Sequence, residues 1–220
     1  MTAGSTADLP DGTDVPDRGV PGSGAVLCVA KDRGLDVEIA GCRIAGCRIG
    51  DLRIGDLRIA DCRAEDVAAL ESAMPAGTAH ATHYAMSLAG ARSYVLAWLG
   101  AEPVGTAVVL WAGFHEQSNR EALPGVPEIC SVHVAEQARG RGIGTALITQ
   151  AERRIAARGF PRAGIGVADD NPRALALYAR LGYTGTGLRT TGTYPWTDVG
   201  GKSHEATETD AALVKDLEGD

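Results

Sequence analysis

Seven consecutive residues, Arg139, Gly140, Arg141, Gly142, Ile143, Gly144 and Thr145, separate a β-branched apolar run from an amphipathic one. Glycines at alternate positions let a backbone close around an anion, and the amides that open a helix supply positive field, so the turn suits a pyrophosphate. Arg139 and Arg141 add mobile charge at its rim. A nucleotide-hydrolysing loop would need GxxxxGK[ST], and no lysine follows these glycines. A dinucleotide fingerprint needs GxGxxG, whereas the glycines here fall at 140, 142 and 144, although Asp169 could mimic the ribose-binding acid. A turn that merely packs a helix against a sheet is the third reading.

Proton-handling candidates flank the turn. Glu128 and His133 lie in the segment EICSVHV just before it. Either is a candidate base, the alternative for Glu128 being an ordinary exposed strand-end carboxylate. Ideal alternation puts the two on opposite faces, so one cleft can use both only if a bulge shifts the parity. Tyr178 lies seven residues after Asn171, two helical turns on, so both point to one side. Its phenol is a candidate proton donor; the alternative is a core aromatic, the part Tyr183 plays.

The elements that must hold these groups follow from periodicity and punctuation. A strand is expected at Leu57 to Cys62, then helices at Ala64 to Met74 and Ala79 to Leu88. Arg92 to Leu99 and Val104 to Trp111 form a hairpin around GAEP, followed by a polar loop from Ala112 to Pro127. Glu128 to Val134 is a strand. Ile143 to Arg158 is a helix with Ile143, Leu147, Ala151 and Ile155 on one stripe, closed by Gly159. After the strand Ala163 to Ala168, Asn171 caps a helix with Pro172 at its first position and Ala174, Leu177, Tyr178 and Leu181 inside, ended by Gly182. Tyr183 to Thr190 and Thr209 to Leu217 are closing strands, the second equally readable as a helix. The class is mixed α/β.

A chain of 220 residues has room for one ordinary domain and a tail. Its formal charge of -7 argues against a nucleic-acid surface and suits a cationic or amine partner. The N-terminus has no basic stretch leading into an apolar core, and no run approaches a membrane span, so the protein is expected in the cytoplasm. Five cysteines, without a CxxC pair, read as free thiols and give no metal site. Residues 1–40 read as a disordered leader with room for a short strand. Residues 41–63 repeat with period five (GCRIA, GCRIG, DLRIG, DLRIA, DCR), which matches neither strand nor helix. The run resembles a pentapeptide repeat, but amounts to barely one coil of such a solenoid, so a local duplication running into the first strand is the plainer reading.

Arg139-x-x-Gly142-x-Gly144 at a strand-to-helix turn, EICSVHV before it and NPRALALYARLGY after the next strand together resemble the GCN5-related N-acetyltransferase (GNAT) superfamily over residues 57–217. The resemblance implies a central mixed, twisted sheet of six or seven strands, with the fourth and fifth splayed apart, and four flanking helices. It implies acetyl-CoA as cosubstrate, its pyrophosphate on Arg139 to Thr145 and its arm in the splay against Val132, His133 and Val134, with Asn171 and Tyr178 also in contact. Tyr178 would protonate the leaving thiolate. Glu128, which matches the catalytic Glu of histone acetyltransferases, would be the general base, with His133 second. The acceptor would be an amine, in a pocket built by the two N-terminal helices and the 112–127 loop, where His80, His83, Tyr84, Trp111, His115 and Glu116 fall. Dimers are common in the family, which leaves a homodimer open. A non-catalytic acyl-CoA-binding module is the alternative function, with a dinucleotide oxidoreductase behind it.

Overall fold

The computed structural model describes residues 37–39, 42–44, 56–197 and 203–217. The expected leader and most of the five-residue repeat lie outside these. Of that region the described residues give a two-stranded hairpin, β1 (Val37–Ile39) with β2 (Cys42–Ile44).

The remaining strands are β3 (Leu57–Asp61), β4 (Arg92–Leu99), β5 (Glu102–Leu110), β6 (Glu128–Val134), β7 (Arg162–Ala168), β8 (Thr184–Thr197) and β9 (Ser203–Asp216). They form one seven-stranded sheet in the order β3-β4-β5-β6-β7-β9-β8. Every neighbouring pair is antiparallel except β6 with β7. The helices are α1 (Asp66–Ala73), α2 (Ala79–Leu88), α3 (Gln117–Ala122), α4 (Ile143–Ala157) and α5 (Pro172–Arg180), with a 3₁₀ turn at Glu136–Ala138. Among the described residues no helix is long and apolar enough to cross a membrane.

Helix α4 holds the two halves of the core together, as its stripe predicts. Ile143 and Leu147 pack with the β4–β5 hairpin, while Ile148, Ala151 and Ile155 pack with Ile129 and Ile165 of the parallel strands. Burying the four large aliphatic side chains among these contributes on the order of 1.5–3 kcal/mol each before chain entropy is counted. Asn171 caps α5 as its sequence requires, its side-chain oxygen accepting the Ala174 amide at 3.0 Å. Gly159 and Gly182 end α4 and α5 with left-handed φ of 83° and 92°.

Three expectations change. The polar 112–127 loop contains α3, a six-residue helix with no apolar stripe and only Asn119 buried, so the flanking helices number five rather than four. Strands β8 and β9 run 14 residues each, and their pairing from Thr191↔Thr209 to Thr197↔Ser203 projects beyond the reach of β7. The helical alternative for residues 209–217 fails because β9 is a strand bonded on both edges, to β7 and to β8.

Glycine in β7 is a packing requirement. A Cβ on Gly164 would sit 2.5 Å from the ring carbons of Phe114, which is itself 1% exposed. Gly164→Ala is expected to cost about 1–3 kcal/mol in urea unfolding, and Phe114→Leu in the same chain should recover part of it. Additive losses in the double variant would show that the two positions do not share that space.

Candidate active site

Two backbone pairs are all that join β6 to β7: Glu128 with Gly164 and Ile129 with Ile165. Beyond Ile129 the strands part, β7 staying bonded to β9 through Ala168 and β6 to β5 through Val134. A wedge of unpaired strand edge therefore opens inside the sheet, where strand edges are normally covered.

The departure of β6 coincides with a bulge. Thr106 pairs with His133 but Val108 with Cys130, so β6 carries one extra residue there. Ser131 takes up the irregularity with φ +49, the one non-glycine residue of left-handed φ among those described. The buried Thr106 reaches it, its hydroxyl donating to the Ser131 carbonyl at 3.4 Å.

The extra residue reverses the alternation. Ile129 clusters with Ile148 and Ala151 of α4. Val134, five positions on and on the opposite face in a regular strand, also faces α4, with Gly144 beneath its Cγ2. His133 is thereby brought to the face that carries Glu128. This is the parity shift that a shared cleft requires.

Beside the mouth of the wedge lies the glycine turn. Gly140 and Gly142 both adopt φ +77, a conformation costly to residues with a Cβ, and Gly142 is the N-cap of α4. The first intrahelical donor is the Ala146 amide, onto the Gly142 carbonyl at 3.0 Å, so the amides of Ile143, Gly144 and Thr145 precede it and sit at the positive end of a 15-residue helix. Arg139 is less mobile than a rim cation, because its Nε donates to the Val134 carbonyl at 3.0 Å and ties the turn to the end of β6.

Tyr178 occupies the fork. It is 2% exposed on the inner face of α5 and interacts with Cys130, the first residue of β6 past the last β7 pair. Burial, then Cys130, pushes its phenol well above the usual range, so it stays protonated at neutral pH and is a weaker acid than a free phenol. Tyr183 stacks at a tilt 6.1 Å away and belongs to the core, as its sequence position suggests.

Glu128 is not the exposed strand-end carboxylate of the alternative reading. It is 7% exposed, over Gly166 of β7, where an added Cβ would lie 3.3 Å from Oε1. Burial raises its pKa to about 7, against the pull of the His115 amide, which donates to Oε2 at 2.7 Å. Asp210 and Glu116 add to the rise. Its pKa falls where a general base for neutral-pH chemistry should be. His133 moves the other way: burial and then Arg139 and His80 lower its pKa, so its imidazole is neutral.

Of the residues offered for the acceptor pocket, His115 and Glu116 act on Glu128, and His80 acts on His133. His80 and His83 are buried, His80 bridging the Tyr94 hydroxyl (2.5 Å) and the Met74 carbonyl (2.7 Å), and His83 meeting Arg92 at 2.7 Å. Tyr84 packs against the core beside α1. Trp111 lies against Phe160 and under the Arg158 guanidinium, near the C-terminal end of α4.

Asp210 is the residue that sequence reading passes over. It pairs across β9 with Ala168, its pKa is raised to about 6 by burial and then by Glu208, Glu116, Asp169 and Asp170, and it borders Glu128. The glycines of GIGVA were the available signal, since Gly164 and Gly166 inside a strand announce a close approach of other side chains.

The arrangement has an anion cradle, a strand-edge wedge, a buried phenol at its fork and a carboxyl poised near neutrality at its base. A protein-family model described as "Acetyltransferase (GNAT) family" matches residues 62–183. Among solved structures, an N-acetyltransferase from Staphylococcus aureus Mu50 is similar at TM-score 0.54 and 16% identity, over 74% of this chain and 99% of that one. The ribosomal-protein-S18-alanine N-acetyltransferase from Escherichia coli aligns at TM-score 0.53 and 15% identity, over 74% of this chain and 94% of that one. A phosphinothricin acetyltransferase from Sinorhizobium meliloti, solved in complex with AcCoA, aligns at TM-score 0.52 and 22% identity, over 74% and 89% respectively. At such identities the structures speak for the fold, and the family match takes in the strand parting, the glycine turn and Tyr178 alike. On that match, which covers more than half of its length, the chain belongs to the GNAT acetyltransferase family.

Proposed function

We propose that this chain transfers an acetyl group from acetyl-CoA to a primary amine of a small molecule or protein, by direct attack within a ternary complex. The observation that carries the reading is the parting of β6 from β7 after two pairs, directly beside the glycine turn and the start of α4.

The residues fit the donor. Amides from Gly140 to Thr145, with Arg139 and Arg141, suit the pyrophosphate. Backbone groups of Val132, His133 and Val134 suit the amide-bearing arm, which would add to the exposed edge as a strand does. Asn171 already caps α5 with its side-chain oxygen, which fixes the side chain at the start of that helix, where the arm would pass. Acetyl-CoA supplies the activated thioester.

The remaining chemistry belongs to the side chains. An amine is protonated at neutral pH and must lose that proton before its lone pair can attack. Glu128, with its pKa near 7, takes the proton directly or through a water, and neutral His133 is the second base on the same face. Amides of the bulged strand are the donors available to the carbonyl oxygen as charge develops on it. Tyr178 gives its proton to the departing sulfur.

Acetyl-CoA should raise the melting temperature while NADH and ATP leave it unchanged, because only acetyl-CoA fills both the turn and the wedge. No shift with acetyl-CoA would defeat the proposal. Tyr178→Phe should lower turnover about 10²-fold or more with the dissociation constant of acetyl-CoA within a few-fold. Equal losses in both would reduce Tyr178 to packing.

Glu128→Gln separates catalysis from stability. A buried carboxyl whose folded pKa of about 7 exceeds its ordinary 4.5 destabilises the fold once ionised, so its cost is absent below pH 4.5 and complete above pH 7. Gln should therefore leave stability unchanged near pH 4 and raise it at pH 8 by up to about 3 kcal/mol, while turnover falls about 10²-fold and loses its rise through pH 7. A variant destabilised at pH 8 would contradict the account.

A further inference from the structure

Arg120, in the last turn of α3, bears on Glu128 without touching it. Its side chain reaches back along the segment that leads into its own helix, where Nη1 donates to the Phe114 carbonyl at 2.5 Å and to the His115 carbonyl at 2.9 Å. The stem lies over Gly113, whose φ is +111 and where an added Cβ would stand 3.2 Å from Arg120 Cγ. The segment is fixed on both sides of this clamp. Phe114 fills the space over Gly164, and the buried Asn119 donates from Nδ2 to Thr190 Oγ1 of β8 at 3.5 Å.

A planar trans peptide turns its carbonyl and its N–H to opposite sides. The Phe114 carbonyl and the His115 N–H belong to one peptide unit. A guanidinium on that carbonyl therefore aims the N–H away from itself, and there it donates to Glu128 Oε2 at 2.7 Å. The result is one chain of hydrogen bonds, from guanidinium to carbonyl and from N–H to carboxyl, in which each bond polarises the next.

We infer that Arg120 is a positioning residue for the base: it holds the peptide between Phe114 and His115 so that the His115 amide stays on Glu128, and it strengthens that amide as a donor to the ionised carboxyl. The inference rests on the reading of Glu128 as the base. The charges around Glu128 agree with the geometry. Burial, and then Asp210 and Glu116, raise its pKa, while the His115 amide and the Arg120 charge restrain the rise to about 7. His133 shares its face of β6. Removing Arg120 withdraws one restraint and loosens the other, so the carboxyl should ionise at higher pH. A side chain that only packed the loop would cost Tm and leave that midpoint alone.

The test is a carboxyl titration of the full chain by NMR, with isotope-labelled glutamate carboxyls and Glu128→Gln to assign the resonance. Arg120→Met should raise the Glu128 midpoint by about one pH unit or more. Arg120→Lys, which keeps a charge and a donor but not the planar fork, should fall between Met and wild type. With whichever primary amine of a panel the wild type acetylates, Arg120→Met should lower kcat about fivefold at pH 7 and roughly twofold or less at pH 9, with KM for acetyl-CoA unchanged. An unmoved midpoint in Arg120→Met, or in Arg120→Lys where the Met variant does not fold, overturns the inference alone. A midpoint that moves while the rate profile stays put, or while no amine is acetylated, overturns the reading on which it rests.

Discussion

The structure turns on a strand that leaves its neighbour. Two backbone pairs hold β6 to β7, and the rest of the shared edge is unpaired in the interior of a seven-stranded sheet. Unmade strand hydrogen bonds are costly wherever water is excluded, so such a gap persists only if the surroundings enforce it. Here a bulge turns β6 aside, Thr106 secures the bulge at Ser131, and α4 spans both halves of the core behind it. The wedge, the turn and the fork follow from that one departure. Arg139 ties the turn to the end of β6, and α5 sets Tyr178 against Cys130 at the point of parting.

Charge is sorted along the same axis. Helix amides, Arg139 and Arg141 stand at the glycine turn, while Glu128 lies among Glu116 and Asp210. Burial first, and then mutual repulsion, raise the carboxyls rather than lower them, which costs the fold stability at high pH. A carboxyl close to neutrality is thus obtained mainly from burial, with the His115 amide limiting the rise.

Much of this was legible in the sequence, and for identifiable reasons. The α4 stripe, the Asn171-Pro172 start of α5 and the β-branched run of β6 are local patterns, and the structure reproduces them within a residue or so. The bulge was readable only as a requirement, that Glu128 and His133 share a face. What escaped was long-range or weakly patterned. Asp210 comes to Glu128 through β9 pairing with β7, which no local spacing encodes. Helix α3 has no apolar stripe to announce it, and the length of the β8–β9 ribbon comes from cross-strand partners such as Thr191 with Thr209. His80, His83 and Trp111 have types common in active sites, and here they make buried hydrogen bonds and ring contacts, which no local spacing announces.

The central claim is that the parted edge of β6 and the amides opening α4 receive one ligand together. Amide hydrogen exchange of the full chain with and without coenzyme A tests it directly. The account predicts slowed exchange in residues 130–134 and 140–146, with the β4–β5 hairpin unchanged. Protection at the turn without protection on β6, or at neither, would contradict it.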